Sequence, residues 1–241
     1  MEPSKLSDVF CNNPYPGRGI LLGLCPNGTH AALAYFIMGR SANSRNRALE
    51  KTGDDLAIRV LDEHRMVDPS LILYTPLRTL ESETIVTNGD QTDTICEAIE
   101  NGGSFYEALL TRRFEPDAPH FTPRISGILR FGDSFAYTLS ILKAGDATGA
   151  TALRQTFDVE PTAGTGHLIH TYRPSGDRLP SFSGEPVPVL LTNDIDALTN
   201  ALWNALHPEN RVALYVRYTD VRTGEYEDRV LNQYAGEDHR A

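Results

Sequence analysis

The chain predicts an α+β protein whose antiparallel sheets are covered by helices. Three observations carry this: apolar runs of strand length that pair across glycine-containing turns, two helical segments back to back near the middle, and one amphipathic helix near the end. No repeat, low-complexity run or linker interrupts the 241 residues, so a single domain over 1–241 is expected.

Gly19–Leu24 and His30–Met38 are apolar and joined by Pro26-Asn27-Gly28, the pattern of a hairpin of buried strands. Ala57–Leu61, Leu71–Tyr74 and Glu83–Thr87 read as further strands. Asn88-Gly89-Asp90 then breaks the pattern, and a helix is expected from about Thr92 to Asn101, stopped by Gly102-Gly103. Ser104 with Glu107 three residues on forms a capping box that opens a second helix. Arg124–Phe131 and Phe135–Lys143 pair across Gly132-Asp133. Thr151–Val159 and Gly166–Tyr172 read as strands. In Asp194–Leu206, Ile195, Leu198, Leu202 and Leu206 recur at helical spacing. Val212–Asp220 and Tyr226–Leu231 form a last hairpin around Thr223-Gly224.

Composition narrows the function. Hydrophobic residues make up 40% and charged residues 22%, enough for a packed core. The apolar runs fall far short of the roughly 20 residues that span a bilayer. Met-Glu-Pro-Ser-Lys lacks the basic-then-apolar pattern of a secretory signal. Cys11, Cys25 and Cys96 are odd in number and without CxxC spacing, which argues against a disulfide framework or a zinc site. A cytoplasmic protein with no membrane partner is expected, and the sequon Asn27-Gly28-Thr29 reads as a turn. A net charge of −10 speaks against nucleic acid as a partner. A homo-oligomer is compatible with everything read so far.

Charge distribution says more than the total. From Cys11 to Leu49 there is no Asp or Glu, yet Arg18, Arg40, Arg45 and Arg47 occur there. A local positive field in an acidic protein suits a small anionic ligand. Gly39–Arg47 also mixes guanidinium groups with short hydroxyl and amide donors, the set that binds phosphate oxygens. Asn88–Asp93 stands between a strand and a helix N-terminus, where backbone N–H groups are free. His167 and His170 sit three apart in a strand-like run and so face opposite sides of a sheet, which argues against a shared metal. Ala163-Gly164-Thr165-Gly166-His167 lacks the lysine of a phosphate loop, and no HExxH or GxSxG occurs.

Tyr15-x-Gly17-Arg18, Arg40-Ser41 followed by Asn46-Arg47, Tyr74-x-x-x-Arg78, Asn88-Gly89-x-x-Thr92-Asp93-Thr94-Ile95 and Thr122-Pro123-Arg124-Ile125 stand in the order found in archaeal-type IMP cyclohydrolases. The chain resembles that family over about Tyr15–Ile128, and Gly166–Tyr172 is similar to its longer bacterial members. Two departures stand out. The stretch from Arg40 to Arg47 is longer than in the archaeal pattern, and Asp90-Gln91 replaces a Ser-His pair. The resemblance implies a four-layer αββα sandwich similar to N-terminal-nucleophile hydrolases. It implies no processed nucleophile, in keeping with the absence of Cys, Ser or Thr directly after Met1.

The activity it implies is closure of 5-formamidoimidazole-4-carboxamide ribotide to IMP, with no cofactor and no metal. It further implies Tyr74, Glu115 and Asn88 as catalytic residues. Arg18, Arg40, Arg47, Arg78, Asp93, Arg124 and His167 are the substrate-binding candidates, with Arg47 first at the phosphate. Two rival readings remain: an amidohydrolase that uses Cys11 after loss of ten residues, and a non-catalytic purine-nucleotide sensor.

Overall fold

The apolar runs become strands, each placed where its burial requires. The computed structural model describes residues 2–65, 73–174 and 179–235. In chain order the elements are α1 (Leu6–Phe10), β1 (Arg18–Leu24), β2 (His30–Met38), α2 (Ala42–Arg45), β3 (Arg47–Thr52) and β4 (Asp55–Val60). After a 3₁₀ turn at Glu63–Arg65 come β5 (Leu77–Leu80), β6 (Glu83–Thr87), α3 (Gln91–Glu100), α4 (Phe105–Leu110), β7 (Arg124–Arg130) and β8 (Ala136–Ala144). The last elements are β9 (Ala152–Val159), β10 (Thr165–His170), β11 (Val187–Leu190), α5 (Ile195–Ala205), β12 (Arg211–Asp220) and β13 (Tyr226–Asn232).

Two antiparallel sheets result, ordered β11-β10-β1-β2-β12-β13 and β3-β4-β5-β6-β7-β8-β9. Because strand side chains alternate, each central strand serves two layers. Ile20 and Leu22 of β1 point between the sheets, where they join Val86, Ile125 and Leu139. Leu21 of the same strand points outward to Leu6 and Phe10 of α1 and to Leu198 and Leu202 of α5. The outer face of the second sheet carries Ile85 and Ile128, covered by Ile95 of α3 and Phe105 of α4. Burying each such side chain is worth roughly 1.5–3 kcal/mol, so each helix is held by its apolar stripe rather than by its own propensity. Gly127 on β7 lets the sheets approach closely: a Cβ there would lie 2.8 Å from the Leu22 side chain.

One side of this pair of sheets is closed. Asn232 at the end of β13 bonds both the N–H and the carbonyl of Leu49 on β3, at 2.8 and 3.0 Å. The opposite side, between β9 and β11, leaves a cleft of about 740 Å³.

Expectation and structure differ mostly at short edges. The segment expected at Leu71–Tyr74 falls partly outside the described residues, and Leu73 and Tyr74 are irregular. β3, β5, β11, α1 and α2 were not anticipated. Only three of the six β3 residues are buried, so its charged half hides the apolar signal. β11 contains Pro188, which usually demotes a strand; the residue sits at a sheet edge and its carbonyl accepts from Ser4. The capping box forms by half: Ser104 Oγ accepts from the Glu107 N–H, while the Glu107 carboxylate accepts the Ser104 hydroxyl rather than its backbone N–H.

Candidate active site

The acid-free arm folds around a cavity of about 500 Å³. β1 begins at Arg18 because Gly17 turns the chain with φ +81°, at a point where a Cβ would lie 2.1 Å from Thr171 Oγ1. After β2 the chain makes the single turn α2, with Ser41 and Ser44 capping each other reciprocally. That turn sets Arg40 before it and Arg47 after it on the same cavity wall. Arg40 lies over the Tyr15 ring at 4.6 Å, and Tyr15 stacks on Tyr172. Arg47 is buried, with its Nε donating to the Ser44 carbonyl at 3.0 Å. Arg45 points elsewhere and holds the Gly39 carbonyl at 3.0 Å.

Across the cavity, the loop between α4 and β7 supplies Glu115, whose N–H donates to the Thr122 carbonyl. Glu115 is 4% exposed, and its Oε1 accepts from Arg18 Nη2 at 2.8 Å. Burial raises the Glu115 pKa, and the cations Arg18 and Arg124 only partly pull it back. Arg18 itself is opposed by burial, yet Glu115 and the surrounding phenols hold it charged. Its Nε is buried without a hydrogen-bond partner among the described residues. Asp117, Thr122 and Tyr172 form a hydrogen-bonded chain on the same wall. Burial pushes the Tyr172 phenol up to about 12, with Arg18 pulling the other way.

Arg40 and Arg47 make no ion pair among the described residues. Two guanidinium groups that face an open cavity in an acidic protein make a binding place for a small anion. The buried carboxylate beside them can carry a proton to or from whatever the anion brings with it.

The structure therefore gathers Arg18, Arg40, Arg47 and Glu115 around one cavity. Tyr74 stands just behind, buried beside Arg18, its hydroxyl 2.7 Å from that of Tyr35. The other five candidates lie elsewhere. Asn88 is fully buried and engaged on all sides: its amide donates to the Pro123 carbonyl, and its oxygen accepts from Ile125 N–H and from Gln91. It ties β6 to β7 rather than facing a ligand. Arg124 lies behind Glu115, bonded to Asp90 at 2.6 Å and to Gln91 at 2.7 Å. Arg78 reaches Asp55 and Asp93 on the α3 side of the second sheet. His167 bonds the Tyr137 hydroxyl in the separate cleft between β9 and β11. Its strand neighbour His170 does face the other side of the sheet, between Phe10 and Phe182.

Asp117 and Tyr172 also line the cavity and Tyr35 bonds Tyr74, though none of the three is a site candidate from sequence. Tyr35 is hidden inside an apolar run and reads as plain core. Tyr172 carried a signal, because it ends the Gly166–Tyr172 stretch opposite Tyr15.

Fold and cavity together define an α+β protein built on two antiparallel sheets, with an arginine-lined cavity and a buried carboxylate. The chain belongs to the IMP cyclohydrolase-like family, whose model matches residues 15–225. It is similar to the IMP cyclohydrolase of Methanocella arvoryzae, 37% identical over 120 residues, which are 48% of this chain and 57% of that protein. The IMP cyclohydrolase of Methanopyrus kandleri is 32% identical over 124 residues, 50% of this chain and 61% of that protein. The matched stretch thus spans about three fifths of these relatives. No helix among the described residues is long and apolar enough to cross a membrane.

Proposed function

We propose that the protein is an IMP cyclohydrolase, acting on 5-formamidoimidazole-4-carboxamide ribotide. The observation that carries this reading is the pair Arg40 and Arg47, free of carboxylate partners among the described residues, beside the buried Arg18–Glu115 pair. A cavity of about 500 Å³ is of the size that holds a small ligand, for which roughly 300–1,000 Å³ is usual. Relatives named for this activity, and membership of the family, support the same reading.

The reaction joins two groups of one molecule. The carboxamide nitrogen attacks the formyl carbon, the formyl oxygen becomes the hydroxyl of a carbinolamine, and loss of that hydroxyl as water leaves the ring C=N bond. Because both partners are already tethered, the protein has to hold one rotamer and move protons. In our reading Arg40 and Arg47 hold the phosphate in bidentate fashion. Glu115, kept in place by Arg18, takes the proton from the attacking nitrogen and passes it to the formyl oxygen. In the second step it moves the proton of the former formamide nitrogen onto the leaving hydroxyl as the C=N bond forms. Tyr74 donates to the formyl oxygen as charge develops on it.

The fold we infer for this chemistry is a single domain in four layers, α, β, β and α, similar to N-terminal-nucleophile hydrolases. The helices packed outside each sheet support it. The test is direct: the purified chain is mixed with the formamido ribotide while absorbance and chromatography follow IMP. Stoichiometric IMP and water are expected. A ribotide that binds tightly and stays open would replace the enzyme with a nucleotide sensor.

A further inference from the structure

Tyr35 stands on β2 with no solvent exposure, in the apolar layer between the sheets. A phenylalanine would fill that layer with no polar atom to satisfy. The Tyr35 hydroxyl lies 2.7 Å from the Tyr74 hydroxyl, its one hydrogen bond among the described residues. Two phenols carry two hydroxyl hydrogens, and the bond between them uses one.

Which hydrogen is left over follows from burial. Were Tyr74 the donor, the Tyr35 hydrogen would remain in the core without an acceptor, and an unsatisfied buried donor is disfavoured. With Tyr35 as the donor, the hydrogen left over belongs to Tyr74, which keeps 9% of its surface open against 0% for Tyr35. The bond therefore runs from β2 outward. Arg18 and Arg47 both act on the Tyr35 phenol, which burial nevertheless holds protonated well above the usual tyrosine range. Tyr74 in turn lies beside the Arg18 that carries Glu115.

We propose that Tyr35 is a positioning residue, donating its buried hydrogen to Tyr74 and so turning the Tyr74 hydrogen out of the core toward the reacting oxygen. This rests on the cyclohydrolase reading above. An oxygen that accepts one hydrogen bond donates the next more strongly, so Tyr35 also sharpens Tyr74 as a donor.

The test is a cycle of Tyr35→Phe, Tyr74→Phe and the double variant, each checked for an unchanged thermal melt. Tyr35→Phe should lower kcat about 10-fold with KM within twofold of wild type. In the Tyr74→Phe background, Tyr35→Phe should then have no further effect. A Tyr35→Phe enzyme with wild-type kcat overturns the proposal and leaves the cyclohydrolase reading standing. Losses that multiply in the double variant, or a Tyr35→Phe chain that does not fold, would make the pair merely structural and overturn it too. Should the wild type bind the ribotide without closing it, the activity reading falls by itself. The same cycle is then read on the dissociation constant: weakening by Tyr35→Phe that vanishes without the Tyr74 hydroxyl supports the proposal, and additive weakening overturns it. A wild type that neither closes nor binds the ribotide overturns both.

Discussion

Two arginine clusters flank the Glu115 loop, and they differ in what answers their charge. On one side Arg40 and Arg47 face a cavity and find no carboxylate among the described residues. On the other, Arg112 and Arg124 both close on Asp90, and Gly89 leaves room for the Arg124 guanidinium, which a Cβ would meet at 2.4 Å. Nothing local in the sequence separates the clusters: Arg40, Arg47 and Arg124 all stand at or beside a strand end, and Arg112 follows α4 with Thr111 before it. Their difference is one of satisfaction: a charge already answered inside the protein shapes the fold, and a charge left facing open space is available for a ligand. The Asp90-Gln91 departure from the archaeal Ser-His pair lies in the answered cluster, where both residues hold Arg124.

The largest effect expected is at Glu115, which lies between the two clusters. Glu115→Gln keeps the shape and removes the proton carrier, so kcat should fall roughly 10²–10⁴-fold while ribotide affinity stays near wild type. Steady-state kinetics decides it, and a near-normal kcat would move the proton transfer to another group. Next in size is Arg47→Ala. A buried guanidinium that holds phosphate in both ground and transition states should cost about 2–4 kcal/mol, seen as a raised KM with kcat little changed. A small effect on KM would mean that the open cluster is not the phosphate site, and the comparison above would fail with it.

How much of this was legible in the sequence depends on the range of the signal. The hairpins β1–β2, β7–β8 and β12–β13 could be read because apolar run, turn and apolar run are neighbours in the chain. β3, β5 and β11 could not: the charged half of β3 hides its apolar signal, β5 has only four residues, and Pro188 argues against a strand at β11. The arginine pocket was legible as an absence of acids over one long window, a local fact. Which arginines are answered was not. Arg124 is satisfied by Asp90, more than thirty positions earlier, and nothing between them announces it. Asn88 misled for the same reason: its position before a helix suits a ligand, but Pro123 and Ile125 already engage both its polar atoms.

A smaller effect is expected from Arg124→Met, which keeps much of the buried volume. It leaves Gln91 and Asp90 short of a partner, so stability should fall by about 1–3 kcal/mol in urea unfolding. KM for the ribotide should stay within about threefold of wild type. A tenfold rise in KM would return Arg124 to the ligand site.

The smallest and sharpest test is Asp90→Asn. Asp90 is held below the usual carboxylate range, where burial works against the bonds and charges of Arg112 and Arg124 and loses to them. Its side chain is 47% exposed, so solvent screens much of that interaction and the variant should lose only about 1 kcal/mol. The sign of the pH effect follows. Stability supplied by a depressed carboxylate is present above its unfolded pKa and is lost as pH falls through the folded one, so wild type and variant should converge in acid. The informative change is at Glu115. With Asp90 neutral, the positive charge of Arg124 is less answered, and Arg124 already pulls the Glu115 pKa down against burial. The limb of the pH–rate profile that reports Glu115 should therefore move to lower pH by a fraction of a unit, with kcat on the plateau unchanged. A limb that stays in place would show the two clusters to be electrically separate, and a limb that moves up would reverse the assignment of Glu115 as the group it reports.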